Sequence, residues 1–478
     1  MTKPANLGSS PMVSRDSGGS LVEQIVRSVA CRIDDKLLRT GSRMPSIRQF
    51  ADEQKVSRFT VVEAYDRLVA NGYLESRRGS GFFVRERASL LNNLSPVTQP
   101  LPTSQQPDVV WLIRNMFRQL PPQKMPGSGL LPHEWLDGEL VANGLRSISR
   151  LNQNLLLHYG TQQGFLPLRQ QLQLKLAELE IAASPEQIVT TNGVTQALDL
   201  VASEFTQPGD TIFVDDPAWF LMFGTFATLG AKVIGIPRLH DGPDVAKLAE
   251  LAALHKPKLY IIHSVLHNPT STSLSAAKAF QVLKTAEQHD FMIVEDDVYC
   301  DMHPGSAVQP ATRLAALDQL NRVIYLGGFS KTLAANLRVG FIATSHQNAI
   351  RFSDRKMLST LTTNEICERV VHKILSEGHY RKHVDRIRSK LDTARHEVTS
   401  RVEKMGMQVE YRTPAGMFLW VETGTDTIAL TEKALEKGIL IAPGSLFSPH
   451  QLPSTHMRIN VAAMGDEGVW KFLENELR

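Results

Sequence analysis

Lys331 stands in the run Gly327-Gly-Phe-Ser-Lys-Thr-Leu-Ala-Ala-Asn-Leu-Arg338-Val-Gly340, preceded by His267-Asn-Pro-Thr270 and Val294-Glu-Asp-Asp-Val-Tyr299. A lysine beside a serine is usually a solvated loop lysine. Here three segments each close an apolar, strand-like run, and together they bring an amine, a carboxylate, a phenol and a side-chain amide. An amine in a dry pocket attacks a carbonyl carbon. A carboxylate beside a nitrogen heterocycle keeps that nitrogen protonated. Thr191-Asn-Gly-Val-Thr-Gln-Ala197 adds a glycine turn between a strand and a helix, a form that binds anions through backbone N–H groups. Asp216-Pro-Ala-Trp219 puts an indole just past a strand, where it can stack on a flat ring.

Together they suggest a pocket for pyridoxal phosphate, each of whose chemical demands can be matched to a residue. Lys331 would form the Schiff base with its aldehyde. Asp296 would pair with the pyridine nitrogen; Asp297 lies beside it, and strand alternation admits only one of the two, with Asp296 favoured. Tyr299 and Asn268 can both donate to the ring's phenolate oxygen. Gly193, Val194 and Thr195 form the phosphate turn, Arg338 supplies its positive charge, and Trp219 stacks on the ring. Singly these residues have ordinary explanations, as a core tryptophan, a salt-bridged arginine or a capping aspartate. Together and in order they point to a cofactor site. No metal site is expected.

Such side chains need strand ends brought to one place. From about residue 111, apolar runs at 187–191, 211–214, 232–236, 258–262, 291–295, 322–325 and 340–343 alternate with longer helical patterns. That alternation predicts an α/β unit with a mostly parallel sheet covered by helices. Beyond about residue 350, a long helix near 380–403 and strands near 407–411, 417–421 and 457–460 predict a smaller α+β part.

The N-terminal segment is of another kind. Leu21, Ile25, Val29 and Ile33 share one helical face. Pro45-Ser46 opens a second helix, with Ile47, Phe50 and Ala51 turned inward. Ser57 caps a third, followed by Val61, Val62, Tyr65, Leu68 and Val69, and Asn71-Gly72 ends it in a left-handed cap. Residues 73–76 and 81–84, joined by Arg77-Arg78-Gly79-Ser80, read as a β-hairpin. Three helices and a hairpin predict a winged helix-turn-helix. The third helix would present Arg58 to a guanine, with Ser57 and Thr60 on phosphates. Arg48 would reach from the flank, and Arg77 and Arg78 from the wing tip.

The composition agrees. The 478 residues are too many for one ordinary domain, and 42% hydrophobic with 21% charged content is that of a globular chain with ample core. Residues 20–87 hold thirteen Lys/Arg against nine Asp/Glu, a surplus of four against +3 for the whole chain, so the basic charge is concentrated near the N-terminus, as fits a nucleic-acid contact. Cys31, Cys300 and Cys367 form no CxxC pair and read as reduced thiols. No apolar run approaches a membrane span and no secretory leader is visible, so a cytoplasmic protein is expected. Pro96, Pro100, Pro102 and Pro107 in a polar background predict an extended linker. The expected organisation is a DNA-binding domain at 15–87, a linker at 88–118 and a cofactor-binding domain at 119–478. Its large part covers about 150–345 and its small part about 350–478.

Gly41-Ser-Arg-Met-Pro-Ser-Ile-Arg48, Val56-Ser-Arg-Phe-Thr-Val-Val-Glu-Ala-Tyr65 and Gly79-Ser-Gly-Phe-Phe-Val84 resemble the GntR family of bacterial regulators. By that resemblance Arg48, Ser57, Arg58, Thr60 and Gly79 contact DNA; Phe59 stands where the family usually has threonine. From about residue 120 the chain resembles the fold-type I aminotransferases, through Tyr159-Gly with Gly164 and Leu168-Arg169, the glycine turn, Asp-Pro-Ala-Trp, Asn-Pro-Thr, Asp-x-x-Tyr, Ser330-Lys331 and Arg458-Ile-Asn460. That resemblance implies that Ser330 adjoins the cofactor. It also implies that Tyr159 reaches the cofactor of a partner subunit and that Arg458 clamps the α-carboxylate of an amino acid. Two departures stand out: Ser271 where glycine is usual, and Gly328 where a phosphate-binding serine is common. The whole chain is similar to the MocR subfamily of transcriptional regulators. The similarity implies a head-to-tail homodimer on double-stranded DNA, with the cofactor and an amine or amino acid as effectors. The competing expectation is a working aminotransferase with an accessory head.

Overall fold

The computed structural model describes residues 19–85, 114–115, 120–151, 153–305 and 311–477. The chain divides into two compact units, Met1–Ser104 and Gln105–Arg478. Most of the proline-bearing segment expected as a linker lies outside the described residues.

The first unit holds α1 (Leu21–Asp34), α2 (Ile47–Gln54) and α3 (Arg58–Ala70), then a hairpin of β1 (Leu74–Arg77) and β2 (Gly81–Val84). Each helix starts on a serine whose hydroxyl accepts a backbone N–H of the first turn: Ser20, Ser46 and Ser57. Ile25, Val29, Phe50, Val61, Ala64, Tyr65 and Leu68 close the core, and the Tyr65 hydroxyl donates to the buried carbonyl of Pro45 at 3.1 Å. Two details differ from the sequence expectation. Asn71 keeps φ at −81° and only Gly72 turns left-handed, at +74°. Val62 faces outward with Phe59, because the inward side of α3 is already filled by Val61 and Tyr65. Paired antiparallel, Leu74 opposite Val84 and Arg77 opposite Gly81, the hairpin puts Arg78 and Gly79 at its tip.

The second unit is built on a sheet whose strands are β3 (Ile188–Thr191), β4 (Thr211–Asp216), β5 (Lys232–Leu239), β6 (Gly242–Pro243), β7 (Leu259–Ile262), β8 (Met292–Asp296), β9 (Val323–Gly328) and β10 (Gly340–Ala343). Their order is β3-β10-β9-β8-β7-β4-β5-β6. β5, β4, β7, β8 and β9 run parallel, while β10 opposes both of its neighbours. Both faces are covered, as the unbroken apolar runs require. Ile212, Val214, Ile261, Val294, Ile324 and Ile342 pack on one side, and Phe213, Tyr260, Ile293, Val323, Tyr325 and Phe341 on the other. A helix from His379 to Lys404 leads to a small antiparallel sheet, β11 (Gln408–Val409), β12 (Phe418–Glu422), β13 (Ala442–Pro443) and β14 (His456–Asn460), in the order β11-β12-β14-β13. Among the described residues, no helix is long and apolar enough to cross a membrane and no acidic, histidine or cysteine cluster could hold a metal ion.

Candidate cofactor site and nucleic-acid interface

The C-terminal ends of parallel strands are where α/β sheets bind ligands, and the candidate residues lie there. The glycine turn follows β3, Trp219 follows β4, Asn268 follows β7, Asp296 ends β8 and Lys331 follows β9. One pocket is lined by Val194, Thr195, Trp219, His263, Asn268, Asp296, Val298, Tyr299, Ser330, Lys331 and Arg338. Strand alternation decides between the two aspartates. Asp296 lines the pocket, whereas Asp297 turns to the other face, where Arg313 Nε donates to it at 2.5 Å and the Tyr325 hydroxyl at 3.0 Å. Glu295 accepts from the Leu314 and Ala315 amides at 2.8 and 2.7 Å, and burial pushes its carboxyl up to about 7.

The helix Val194–Phe205 opens at Gly193 with no side-chain cap, so its first N–H groups keep their partial positive charge. The Arg338 guanidinium closes over the turn, donating to the Asn192 carbonyl at 2.8 Å. Gly193 has φ of +80°, which favours glycine, and a Cβ there would lie 2.8 Å from Arg338 Nη2, so the guanidinium would have to shift.

Lys331 Nζ donates to the Gly129 carbonyl at 3.0 Å. Burial, then the nearby Arg458 charge, lowers its amine to about 8, against a smaller opposing pull from Asp296. The backbone just after it is held firmly. The Thr332 hydroxyl meets the Tyr380 hydroxyl at 2.5 Å, His383 Nε2 meets the Thr332 carbonyl at 2.6 Å, and Tyr380 also donates to Asp301 at 2.6 Å. Arg458, on β14, is 2% exposed and lies 4.4 Å over the Phe418 ring and 4.9 Å over Phe447. It donates to Asn268 Oδ1 at 2.8 Å and to the Gly127 carbonyl at 2.6 Å, while its buried Nε has no partner. Burial brings Arg458 down to about 10, still charged at neutral pH. Asn268 Nδ2 donates to the Tyr299 hydroxyl at 3.3 Å, so arginine, amide and phenol form one chain.

Of two histidines to which sequence reasoning gave no role, His263 adjoins the carboxylate and His267 packs edge-on against His263. His263 Nε2 is 3.3 Å from Asp296 Oδ2. His267 bonds Thr270 at 2.8 Å, and burial, then the Arg238 charge, holds its imidazole well below the ordinary range, so it is neutral. The signal for His263 was its place directly after an apolar strand, five residues before Asn268. The segment 127–130 carried no signal, because it acts through backbone carbonyls: Asn460 Nδ2 also donates to it, at Ser128 (3.1 Å) and Leu130 (2.7 Å).

The departures from the family pattern have structural counterparts. Ser271 sits at φ +57°, where glycine is usual, and its hydroxyl donates to the Phe418 carbonyl of β12 at 2.8 Å. A Cβ on Gly328 would lie 3.3 Å from Val194 Cγ2. Tyr159 is 80% exposed and touches no part of the pocket in its own chain.

In the first unit, Arg48, Ser57, Arg58, Arg78 and Gly79 are exposed and Thr60 is half-buried. Ser57 Oγ accepts the Thr60 amide at 3.0 Å and lies 2.8 Å from the Thr60 hydroxyl. Arg77 is taken up by Glu75, at 2.7 Å from Nε, and by the Phe83 ring, leaving Arg78 as the freer wing-tip cation.

Residues 127–475 match the model of the family described as aminotransferase class I and II, and residues 21–84 match that of the bacterial regulatory proteins of the gntR family. The HTH-type transcriptional regulator YdfD of Bacillus subtilis is 28% identical over 465 residues, covering 94% of each chain. The aromatic-amino-acid aminotransferase 1 of Thermococcus litoralis is 32% identical over 352 residues, 71% of this chain and 84% of that one. The probable rhizopine catabolism regulatory protein MocR of Rhizobium meliloti is 27% identical over 382 residues, 79% of this chain and 76% of that one. Among solved structures, the multiple substrate aminotransferase of Thermococcus profundus superposes with a TM-score of 0.69 at 26% identity, over 78% of this chain and 94% of that one.

Fold and sites thus define a GntR-type regulator head fused to a pyridoxal-phosphate aminotransferase-like unit. The chain belongs to the aminotransferase class I and II family, with the architecture of the MocR regulators. The pocket fits the cofactor that this family carries. It has an amine of lowered pKa, a carboxylate aimed inward, an uncapped helix end beside an arginine, and a buried guanidinium with a free donor.

Proposed function

We propose that this chain is a transcriptional regulator that binds pyridoxal phosphate at Lys331 and couples that site to the affinity of its head for double-stranded DNA. The observation that supports this most is convergence: Lys331 Nζ and the Arg458 guanidinium, 127 positions apart in sequence, both donate into the backbone of Gly127–Gly129. An amine that takes an aldehyde and a guanidinium that takes a carboxylate, side by side, suit an amino acid.

In this reading Asp296, backed by His263, holds the ring nitrogen protonated, and Asn268 and Tyr299 face the ring oxygen. Gly193, Val194, Thr195, Ser330 and Arg338 take the phosphate, and Trp219 stacks. When bound, the cofactor supplies an electrophilic carbon and an electron-withdrawing ring. The chain supplies the largely neutral amine above pH 8, the charge complement and a water-poor pocket. Tyr159 completes the site of a partner subunit in a head-to-tail homodimer. Arg48, Ser57, Arg58, Thr60, Arg78 and Gly79 contact DNA in the cytoplasm, and the segment 88–118 links the 15–87 head to the 119–478 body. A ligand shifts DNA affinity only if it binds two arrangements of the dimer unequally. Arg458 rides on the small sheet, so ligand capture there offers such a difference.

The second reading, a working aminotransferase, is favoured by the intact Lys331 and Arg458 pair and by the likeness to the Thermococcus enzyme. One experiment separates them. The full chain is titrated on DNA duplexes with pyridoxal phosphate and then with single amino acids and amines, and the same samples are assayed for keto-acid-dependent turnover. A ligand-dependent change in DNA affinity with turnover far below about 1 per second supports the regulator. Enzyme-like turnover with ligand-indifferent DNA binding overturns it.

A further inference from the structure

We infer that Phe59 is a base-reading residue that packs on the 5-methyl group of a thymine in the operator's major groove; this rests on the DNA-binding reading above. Phe59 is the second residue of α3, and its ring is 77% exposed. It has no place inside: Val61, Ala64, Tyr65 and Leu68 fill the inward side of the helix. Val62, 37% exposed, lies one turn on and about 60° around the helix from Phe59. The outward face of α3 therefore presents two apolar side chains beside Arg58.

The Ser57 and Thr60 hydroxyls at this helix end bond to one another, and each keeps capacity for a phosphate. Beside them the first turn presents outward one guanidinium and one aromatic ring. The charge of this unit favours a polyanion as the occupant, since Arg58 adjoins Phe59 in the chain and Arg48 and Arg78 are also exposed. On duplex DNA, the apolar group displayed in the major groove is the thymine methyl, and guanine beside it offers the O6 and N7 pair that suits arginine. Arg58 and Phe59 would thus read neighbouring positions, guanine by hydrogen bonds and thymine by burial.

The test uses the full chain and duplexes enriched by it from a randomised library. In the tightest duplex each thymine is replaced in turn by deoxyuridine, which deletes only the methyl group. Binding is measured for the parent, Phe59→Ala and Phe59→Leu, with thermal unfolding as the fold control. One or two deoxyuridine positions should weaken the parent roughly fourfold each, the worth of one buried methyl. The same replacements should leave Phe59→Ala unchanged, and Phe59→Leu should keep part of the sensitivity. The inference is overturned if no position is methyl-sensitive, or if Phe59→Ala keeps the full sensitivity. It is also overturned if Phe59→Ala alters only the oligomeric state, which would make the ring a protein contact. Failure of the parent to enrich any duplex would instead overturn the DNA-binding reading itself.

Discussion

Replacing Arg458 by methionine should separate recognition of an amino acid from binding of the cofactor. Methionine keeps the length and apolar stem that fit between Phe418 and Phe447 and removes only the charged donors. Hydrogen bonds to charged groups contribute about 1.5–3 kcal/mol each. Two would be lost on a carboxylate, partly offset because Arg458 no longer gives up Asn268 Oδ1 and the Gly127 carbonyl on binding. A net loss of about 3 kcal/mol, roughly 100-fold in affinity, follows. The assay is the visible spectrum of the cofactor-loaded protein, titrated with each of several amino acids beside its decarboxylated amine. Amino acids should weaken by two orders of magnitude while the matching amines change less than about threefold. An equal fall for both would show that Arg458 only props up the pocket, and no fall for either would remove it from the site.

Lys331→Ala should abolish the visible absorption of bound pyridoxal phosphate while the first unit unfolds as in the parent; an undiminished band places attachment elsewhere. Attachment of the cofactor to apoprotein should speed up with pH and level off above about 8, where the lowered Lys331 amine is neutral. A rate still climbing towards pH 10.5 would mean an ordinary solvated lysine. Arg58→Ala should weaken binding to the selected duplex by about 1–3 kcal/mol and leave the cofactor spectrum alone, as measured by fluorescence anisotropy and absorbance on one preparation. Tyr380→Phe, which removes the hydroxyl between Thr332 and Asp301, should slow cofactor attachment without altering its pH midpoint; a shifted midpoint would make Tyr380 an electrostatic partner of Lys331 instead.

Much of this pocket was legible because its parts sit at strand ends. The alternation of β8 put Asp296 and Asp297 on opposite faces without saying which one meets the pocket, and the glycine turn after β3 announced itself by composition. Arg458 and Tyr159 were legible only by family resemblance. Nothing local ties residue 458 to residue 331, and only the pairing of β12 with β14 brings that arginine to the site. His263 was overlooked because a histidine beside an apolar run has many ordinary roles. The 127–130 segment was invisible, since its contribution is carbonyl oxygen that every residue owns. In the head, helix periods and serine caps were plain, but the outward turn of Val62 was not. Adjacent valines can both be buried on a broad face, as Val370 and Val371 are, so the pattern alone does not say that Val62 turns outward.

The bonds from Lys331 and Arg458 into Gly129 and Gly127 have a consequence for what the site can register. Occupying Lys331 with an aldehyde takes one donor from the segment, and a carboxylate on Arg458 takes the other. Either event alone leaves the segment still fastened, with Gly127 N–H on Leu440 and Asn460 N–H on Pro126 unchanged. Neither event touches the bonds from Asn460 Nδ2 to the Ser128 and Leu130 carbonyls. An amino acid whose amine takes the aldehyde returns the Lys331 amine while its carboxylate engages Arg458, so cofactor and amino acid draw on the two bonds in turn, and a bare amine returns Lys331 but leaves Arg458 on Gly127.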